Sequence, residues 1–114
     1  LFYAPQSFAE TAEVVALAKV AGELGGHYDT HLRDESNYTI GLAASVEEAI
    51  TIAREARIPV HISHIKALGV DVHGLAPTMI AKVEQARTEG LAITADQYPW
   101  QASGTSLVAA LVPL

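Results

Sequence analysis

Three short strand-like runs, His27 to His31, Val60 to His64 and Leu91 to Asp96, alternate with three stretches of helical periodicity, and this alternation constrains the fold most tightly. Strands that alternate with helices pair in parallel, because each return to the same end of the sheet runs through a helix. The first helix is signalled by Ser7-Phe8-Ala9-Glu10, which reads as a capping box, and by Val14, Leu17, Ala18, Ala21 and Leu24 at helical spacing before Gly25-Gly26 ends the run. A second capping box, Ser45-Val46-Glu47-Glu48, introduces the stripe Val46, Ala49, Ile50, Ala53 and Ala56, which stops at Ile58-Pro59. Pro77 suits the first turn of a third helix whose buried face is Met79, Val83 and Ala86, and Gly90 closes it. The third run, nearly all apolar, predicts a strand covered on both faces.

Each run finishes on a polar residue, His31, His64 and Asp96, one βα unit apart. In parallel α/β proteins the C-terminal strand ends carry the active face, so the three side chains are expected to converge on one site. An open doubly wound sheet and a (β/α)8 barrel both fit the rhythm. Neither GxGxxG nor GxxxxGK[ST] is present, which disfavours the open nucleotide-binding sheet. A barrel needs about 250 residues, so the sequence predicts parallel βα units forming part of a (β/α)8 TIM-type barrel. The chain opens on Leu1 and ends at Val112-Pro113-Leu114, and residues 1–114 are therefore expected to be a fragment of one catalytic barrel domain.

Composition narrows the chemistry. Half the residues are hydrophobic, enough for a packed core, and Lys+Arg 7 against Asp+Glu 13 gives a net charge of −6. That balance disfavours a nucleic-acid role, which needs a basic face to displace counterions, and the sequence has no Lys/Arg cluster. The uncharged stretch Ser106 to Leu114 is too short to span a bilayer, so no membrane role is expected, and a cytoplasmic location is the expectation. Without cysteine, no disulfide and no thiolate zinc site exists within these residues.

Among the five histidines, His27 and His31 would share a helix face, but on a strand four residues span about 13 Å, too far for one ion. His61 and His64, three apart on a strand, face opposite sides, so only one of them enters the site and His61 is left to packing. A lone histidine at a strand end is ordinarily a hydrogen-bonded polar residue. Two at matching ends of successive strands, His31 and His64, are also suited to share a divalent cation. His73, beside Gly74, reads as solvated.

The words Leu1-Phe2-Tyr3-Ala4-Pro5, Thr30-His31-Leu32-Arg33-Asp34-Glu35, Ile62-Ser63-His64-Ile65-Lys66 and Asp96-Gln97-Tyr98-Pro99 occur in this order. Together they resemble the D-aminoacylase (N-acyl-D-amino-acid deacylase) family of the metal-dependent amidohydrolase superfamily, over essentially the whole chain. The resemblance implies a zinc-dependent hydrolase, with one or two ions, that cleaves the amide of a small-molecule N-acyl-D-amino acid. It implies that His31 and His64 close the fifth and sixth barrel strands as metal ligands, and that Phe2, Tyr3, Lys66 and Tyr98 bind substrate. Lys66 would hold the substrate carboxylate as a point charge. Asp96 falls on the seventh strand and reads as a hydrogen-bonding residue of its turn. Gly104 stands where a small polar pocket residue is expected.

The resemblance also implies a His-x-His motif, a bridging cysteine and a general-base aspartate, none of which has a match here. The catalytic residues are accordingly expected outside these residues, and the 114 residues alone are expected to be inactive. Without the resemblance, Lys66 reads as a solvated loop lysine, Arg33-Asp34-Glu35 as an ion-paired loop, and Phe2, Tyr3 and Tyr98 as packing. Two other readings remain beside the deacylase: a cyclic-amide hydrolase of the hydantoinase or dihydroorotase kind, and a non-catalytic truncated segment.

Overall fold

The computed structural model describes residues 1–111. Three strands, β1 (Tyr28–Thr30), β2 (Val60–Ile62) and β3 (Ile93–Ala95), form a parallel sheet in sequence order. Helices α1 (Thr11–Glu23), α2 (Leu42–Ala56) and α3 (Ala76–Thr88) precede and connect them, and a short α4 (Leu107–Leu111) follows. The βα rhythm and the parallel pairing are those expected from the alternation of patterns. Among the described residues no helix is long and apolar enough to cross a membrane.

Register sorts the sheet into two faces. Tyr28, Val60 and Ile93 are partners, as are Thr30, Ile62 and Ala95, while Asp29, His61 and Thr94 form the row between them. Val60, Ile62 and Ile93 are buried with Thr30, whereas Asp29 and Thr94 are exposed. The helices therefore cover one face, and the polar middle row lines the other. Helix α2 lies between α1 and α3 and against β2. This explains why its buried set, which includes Leu42, Val46, Ala49, Ile50, Ile52, Ala53 and Ala56, is wider than a single stripe. Burying each large aliphatic side chain there is worth about 1.5 to 3 kcal/mol. Helix α1 adds Val14, Val15 and Ala18, and α3 adds Met79 and Ala86.

Several sequence expectations are corrected. The strands are shorter than the apolar runs, and β3 is not covered on both faces, since Thr94 and Ala95 are exposed. Neither capping box forms. Ser7 lies in a 3-10 turn, Gln6–Phe8, and α1 begins at Thr11 behind Glu10, whose side chain makes no cap bond. The Arg33 guanidinium binds the carbonyls of Ser7 at 2.8 Å and Ala9 at 2.7 Å, which commits those carbonyls to a partner outside the helix. Ser45 and Glu48 lie inside α2, which starts at Leu42 behind Gly41 at φ 87°. Both side chains are spent on the loop after β1: Ser45 Oγ accepts the Asp34 N–H at 2.8 Å, and Glu48 takes both Arg33 and the Thr11 hydroxyl.

Candidate metal and substrate site

The loop after β1 is built around Asp34. Its carboxylate is fully buried and accepts the backbone N–H groups of Ser36 at 2.8 Å, Thr39 at 2.6 Å and Gly41 at 3.0 Å. Burial alone would raise its pKa, but the N–H groups of Thr39, Ser36 and Gly41 outweigh that and hold it below the ordinary carboxylate value. The loop is thereby fixed from Asp34 to Gly41, and its two neighbours in sequence face opposite ways. Arg33 turns to the Glu48 carboxylate, with contacts of 2.8 to 3.1 Å, while Glu35 turns to the strand ends.

His31 immediately follows β1. His64 reaches the same place by another route than strand alternation: β2 ends at Ile62, and His64 has φ 41°, in the left-handed region. This backbone turn replaces the opposite-face argument, and His61 is not a packing residue. His61 sits in the polar row with Asp29 and Thr94, its Nδ1 2.8 Å from Thr94 Oγ1 and its Nε2 3.1 Å from Asp96 Oδ2. The His31 and His64 rings meet edge to face with centroids 4.4 Å apart. Glu35, 2% exposed, lies with one oxygen 3.2 Å from His31 Nε2 and the other 3.4 Å from His64 Nδ1.

Lys66 closes the cluster. Its Nζ is 2.5 Å from Glu35 Oε1 and 2.8 Å from His64 Nδ1, and it stands 5.5 Å from the centroid of the Tyr98 ring. It is a half-buried, paired ammonium and not a solvated lysine. Phe2 and Tyr3 pack on the other flank of His31, at 4.9 and 5.3 Å between centroids. These residues wall a cavity of about 640 Å³ that Gly104 and Thr105 also line, the latter accepting the Tyr3 hydroxyl at 2.9 Å. A Cβ placed on Gly104 meets nothing within 4 Å. A larger groove, about 860 Å³, runs beside α2 past Phe8, Ile40 and Ala43, but its buried charges Arg33 and Glu48 already neutralise each other. The smaller cavity is the better site because its polar groups converge.

Burial would raise the Glu35 pKa, yet the contacts with His31 and Lys66 prevail and lower it, so the carboxylate is ionised at neutral pH. Atoms of His31, Glu35 and His64 that are able to ligate a metal all lie within 4.8 Å of one another, with His31 Nε2 buried and without an aligned hydrogen-bond partner. Two imidazoles beside an anionic carboxylate suit zinc, which takes nitrogen and oxygen ligands. His27 and His73 are exposed and stand outside this group. The sequence reading missed Glu35 as a member of the centre; its position four residues after His31 was the available signal. It also left Asp96 at the level of its turn, whereas the Asp96 carboxylate accepts the backbone N–H of His64.

Known proteins resemble this chain in sequence and in fold. The chain is 34% identical over 106 residues to a D-aminoacylase of Alcaligenes xylosoxydans xylosoxydans, covering 93% of this chain and 21% of the relative. The chain is a relative of the D-aminoacylases. It is also 31% identical over 108 residues to an N-acyl-D-glutamate deacylase of the same organism, covering 95% of this chain and 22% of that protein. No family model matches. The crystal structure of N-acyl-D-glutamate deacylase from Bordetella bronchiseptica, complexed with zinc and a phosphonate that mimics the tetrahedral intermediate, superposes with a TM-score of 0.80 at 32% identity. It covers 86% of this chain and 20% of the other. A D-aminoacylase crystal structure described as defining a novel subset of amidohydrolases gives a TM-score of 0.78 at 33% identity, over 87% of this chain and 20% of the other. The chain thus spans about a fifth of the length of the curated relatives it matches.

Proposed function

We propose that these residues supply part of the active site of a zinc-dependent hydrolase that cleaves N-acyl-D-amino acids to a carboxylate and a free D-amino acid. In this reading β1, β2 and β3 are the fifth to seventh strands of a (β/α)8 barrel, and residues 1–114 belong to its single catalytic domain. The observation that carries the reading is the convergence of His31, His64 and Glu35 with the Lys66 ammonium in one aromatic-walled cavity.

His31 and His64 hold zinc, with further ligands from outside these residues. When bound, zinc supplies Lewis-acid activation of water and of the amide carbonyl. Lys66, already aimed into the cavity, binds the substrate carboxylate, and Tyr98 beside it contributes a hydroxyl and a ring face. Phe2 and Tyr3 form the aromatic wall against which the substrate lies. The general base that takes the water proton and returns it to the leaving amine comes from another strand.

The complete protein, loaded with zinc, is the object of the test. Incubated with N-acetyl-D-amino acids and their L enantiomers, it should release acetate and the free D-amino acid from the D series. Turnover confined to hydantoin or dihydroorotate would overturn the assignment in favour of a cyclic-amide hydrolase.

A further inference from the structure

The Glu35 carboxylate faces three partners from two loops, His31 from the loop after β1 and His64 and Lys66 from the loop after β2. We propose that Glu35 is the positioning residue of the centre, orienting the His31 and His64 rings and the Lys66 ammonium, and that it is not itself a metal ligand. The inference rests on the proposed metal role of His31 and His64.

A carboxylate that is 2% exposed is costly to keep ionised unless it is fully paired, and each Glu35 oxygen has a partner: Oε2 lies 3.2 Å from His31 Nε2, while Oε1 lies 3.4 Å from His64 Nδ1 and 2.5 Å from Lys66 Nζ. Its backbone is anchored as well, since its carbonyl accepts the Leu68 N–H at 2.7 Å. Glu35 therefore staples the loop after β1 to the loop after β2 at two points.

An imidazole that ligates a metal through one nitrogen ordinarily donates from the other to an acceptor that fixes the ring. Glu35 stands against Nε2 of His31 and Nδ1 of His64. The Lys66 ammonium, which can only donate, also lies 2.8 Å from His64 Nδ1, so that nitrogen turns from accepting Lys66 to donating to Glu35 Oε1 when Nε2 takes a metal. The opposite nitrogens, His31 Nδ1 and His64 Nε2, have no protein hydrogen-bond partner among the described residues and are the ones left for a metal. The buried His31 Nε2 has no aligned acceptor, and a small rotation of the ring brings it onto the Glu35 oxygen beside it.

Charge separates positioning from ligation. The Lys66 ammonium already sits on Oε1, so a divalent cation bound to that oxygen would stand beside a second cation in a half-buried site. Placed behind the rings, the same carboxylate attracts the ammonium and faces one nitrogen of each imidazole. Positioning uses every contact that Glu35 makes; ligation through Oε1 would set the metal against the ammonium already seated there.

The experiment compares Glu35→Gln with His31→Ala and His64→Ala in the complete protein, reading zinc affinity by chelator competition and the ligand-field spectrum of the cobalt-substituted form. Glu35→Gln is expected to weaken zinc by about 10- to 100-fold while the cobalt bands keep the wild-type coordination number. Unchanged affinity in Glu35→Gln, with zinc lost from the histidine variants, would overturn the inference and leave the metal reading standing. A loss as large as that of the histidine variants, with cobalt bands of changed coordination, would make Glu35 a ligand and overturn it too. Zinc retained in all three variants would overturn the metal reading and the inference with it. A zinc-bound crystal structure of the unaltered protein decides without any variant: a Glu35 oxygen at about 2.0 to 2.2 Å from zinc refutes positioning, and the carboxylate against the second ring nitrogens supports it.

Discussion

The Asp96 carboxylate accepts the backbone N–H of His64 through Oδ1 and faces His61 Nε2 through Oδ2, so the end of β3 holds the left-handed turn that brings His64 to the site. A non-glycine residue at φ 41° is unfavourable unless its surroundings hold it there. The backbone bond to His64 and the contact with His61 also keep the Asp96 carboxyl below the ordinary carboxylate value, so the tie is in place at neutral pH.

Removing this tie should loosen the histidine without touching it. Asp96→Ala in the complete protein is expected to weaken zinc by about tenfold, and Asp96→Asn by less, because the amide oxygen still accepts the His64 N–H. Chelator competition measures both. Equal affinity in wild type and Asp96→Ala would show that the turn holds itself.

The histidines should separate into two groups. His31→Ala and His64→Ala are expected to lower zinc content and activity together, whereas His27→Ala and His73→Ala, at exposed positions outside the cluster, leave both unchanged. His61→Ala should cost a fraction of the His64→Ala effect, because it removes only a neighbour of Asp96. Metal analysis of the purified variants checks the order.

Lys66 tests the substrate assignment. Loss of a charge-assisted contact costs about 1.5 to 3 kcal/mol, which is about ten- to more than a hundredfold in kcat/KM. Lys66→Met should therefore impair an N-acetyl-D-amino acid far more than its carboxamide counterpart. Equal losses on the two substrates would show that Lys66 serves the Glu35 and His64 contacts alone.

How much of this was legible follows the range of the interactions. The alternation of periodicities gave the parallel βα units, because a strand and a helix each write their pattern locally. The ends of elements were misread where a side chain had a distant partner. Ser45 and Glu48 look like a capping box, but Asp34, Arg33 and Thr11 claim them across the loop, and the helix starts earlier at Gly41. His64 was placed at the right strand end by an argument about alternation that its backbone does not obey. Glu35 was invisible as a hub because its other partners, His64 and Lys66, lie about thirty residues away; only its spacing from His31 was local.

Acid should probe the Asp34 loop. Its folded pKa is depressed, so its contribution to stability is fully present above the unfolded value of about 3.9 and is lost as pH falls through the lower folded value. Glu35 acts in the same sense, from an unfolded value of about 4.3. Denaturant midpoints of the complete protein should fall progressively below about pH 4. Asp34→Asn should lower stability at pH 7 by about 1.5 to 3 kcal/mol and flatten the acid limb. An acid limb that keeps its wild-type slope in Asp34→Asn would place the titration elsewhere.

Arg33 supplies the last test, of the support behind the site. Its guanidinium binds Glu48 and the carbonyls of Ser7 and Ala9 at once, joining the segment before α1 to α2 and to the loop that carries His31 and Glu35. With side-chain exposures of 11% and 7%, the Arg33–Glu48 pair is close to fully desolvated, and stripping one partner from such a pair costs about 3 to 5 kcal/mol. Arg33→Ala should reach that range. Arg33→Lys keeps the charge but not the planar fork, so it cannot serve Glu48 and two carbonyls together, and about half of the loss is expected. Glu48→Gln leaves the arginine buried and uncompensated, and should resemble Arg33→Ala more than Arg33→Lys. Chemical denaturation ranks the three. Wild-type stability in Arg33→Lys would show that charge alone carries the support and that the fork geometry is idle.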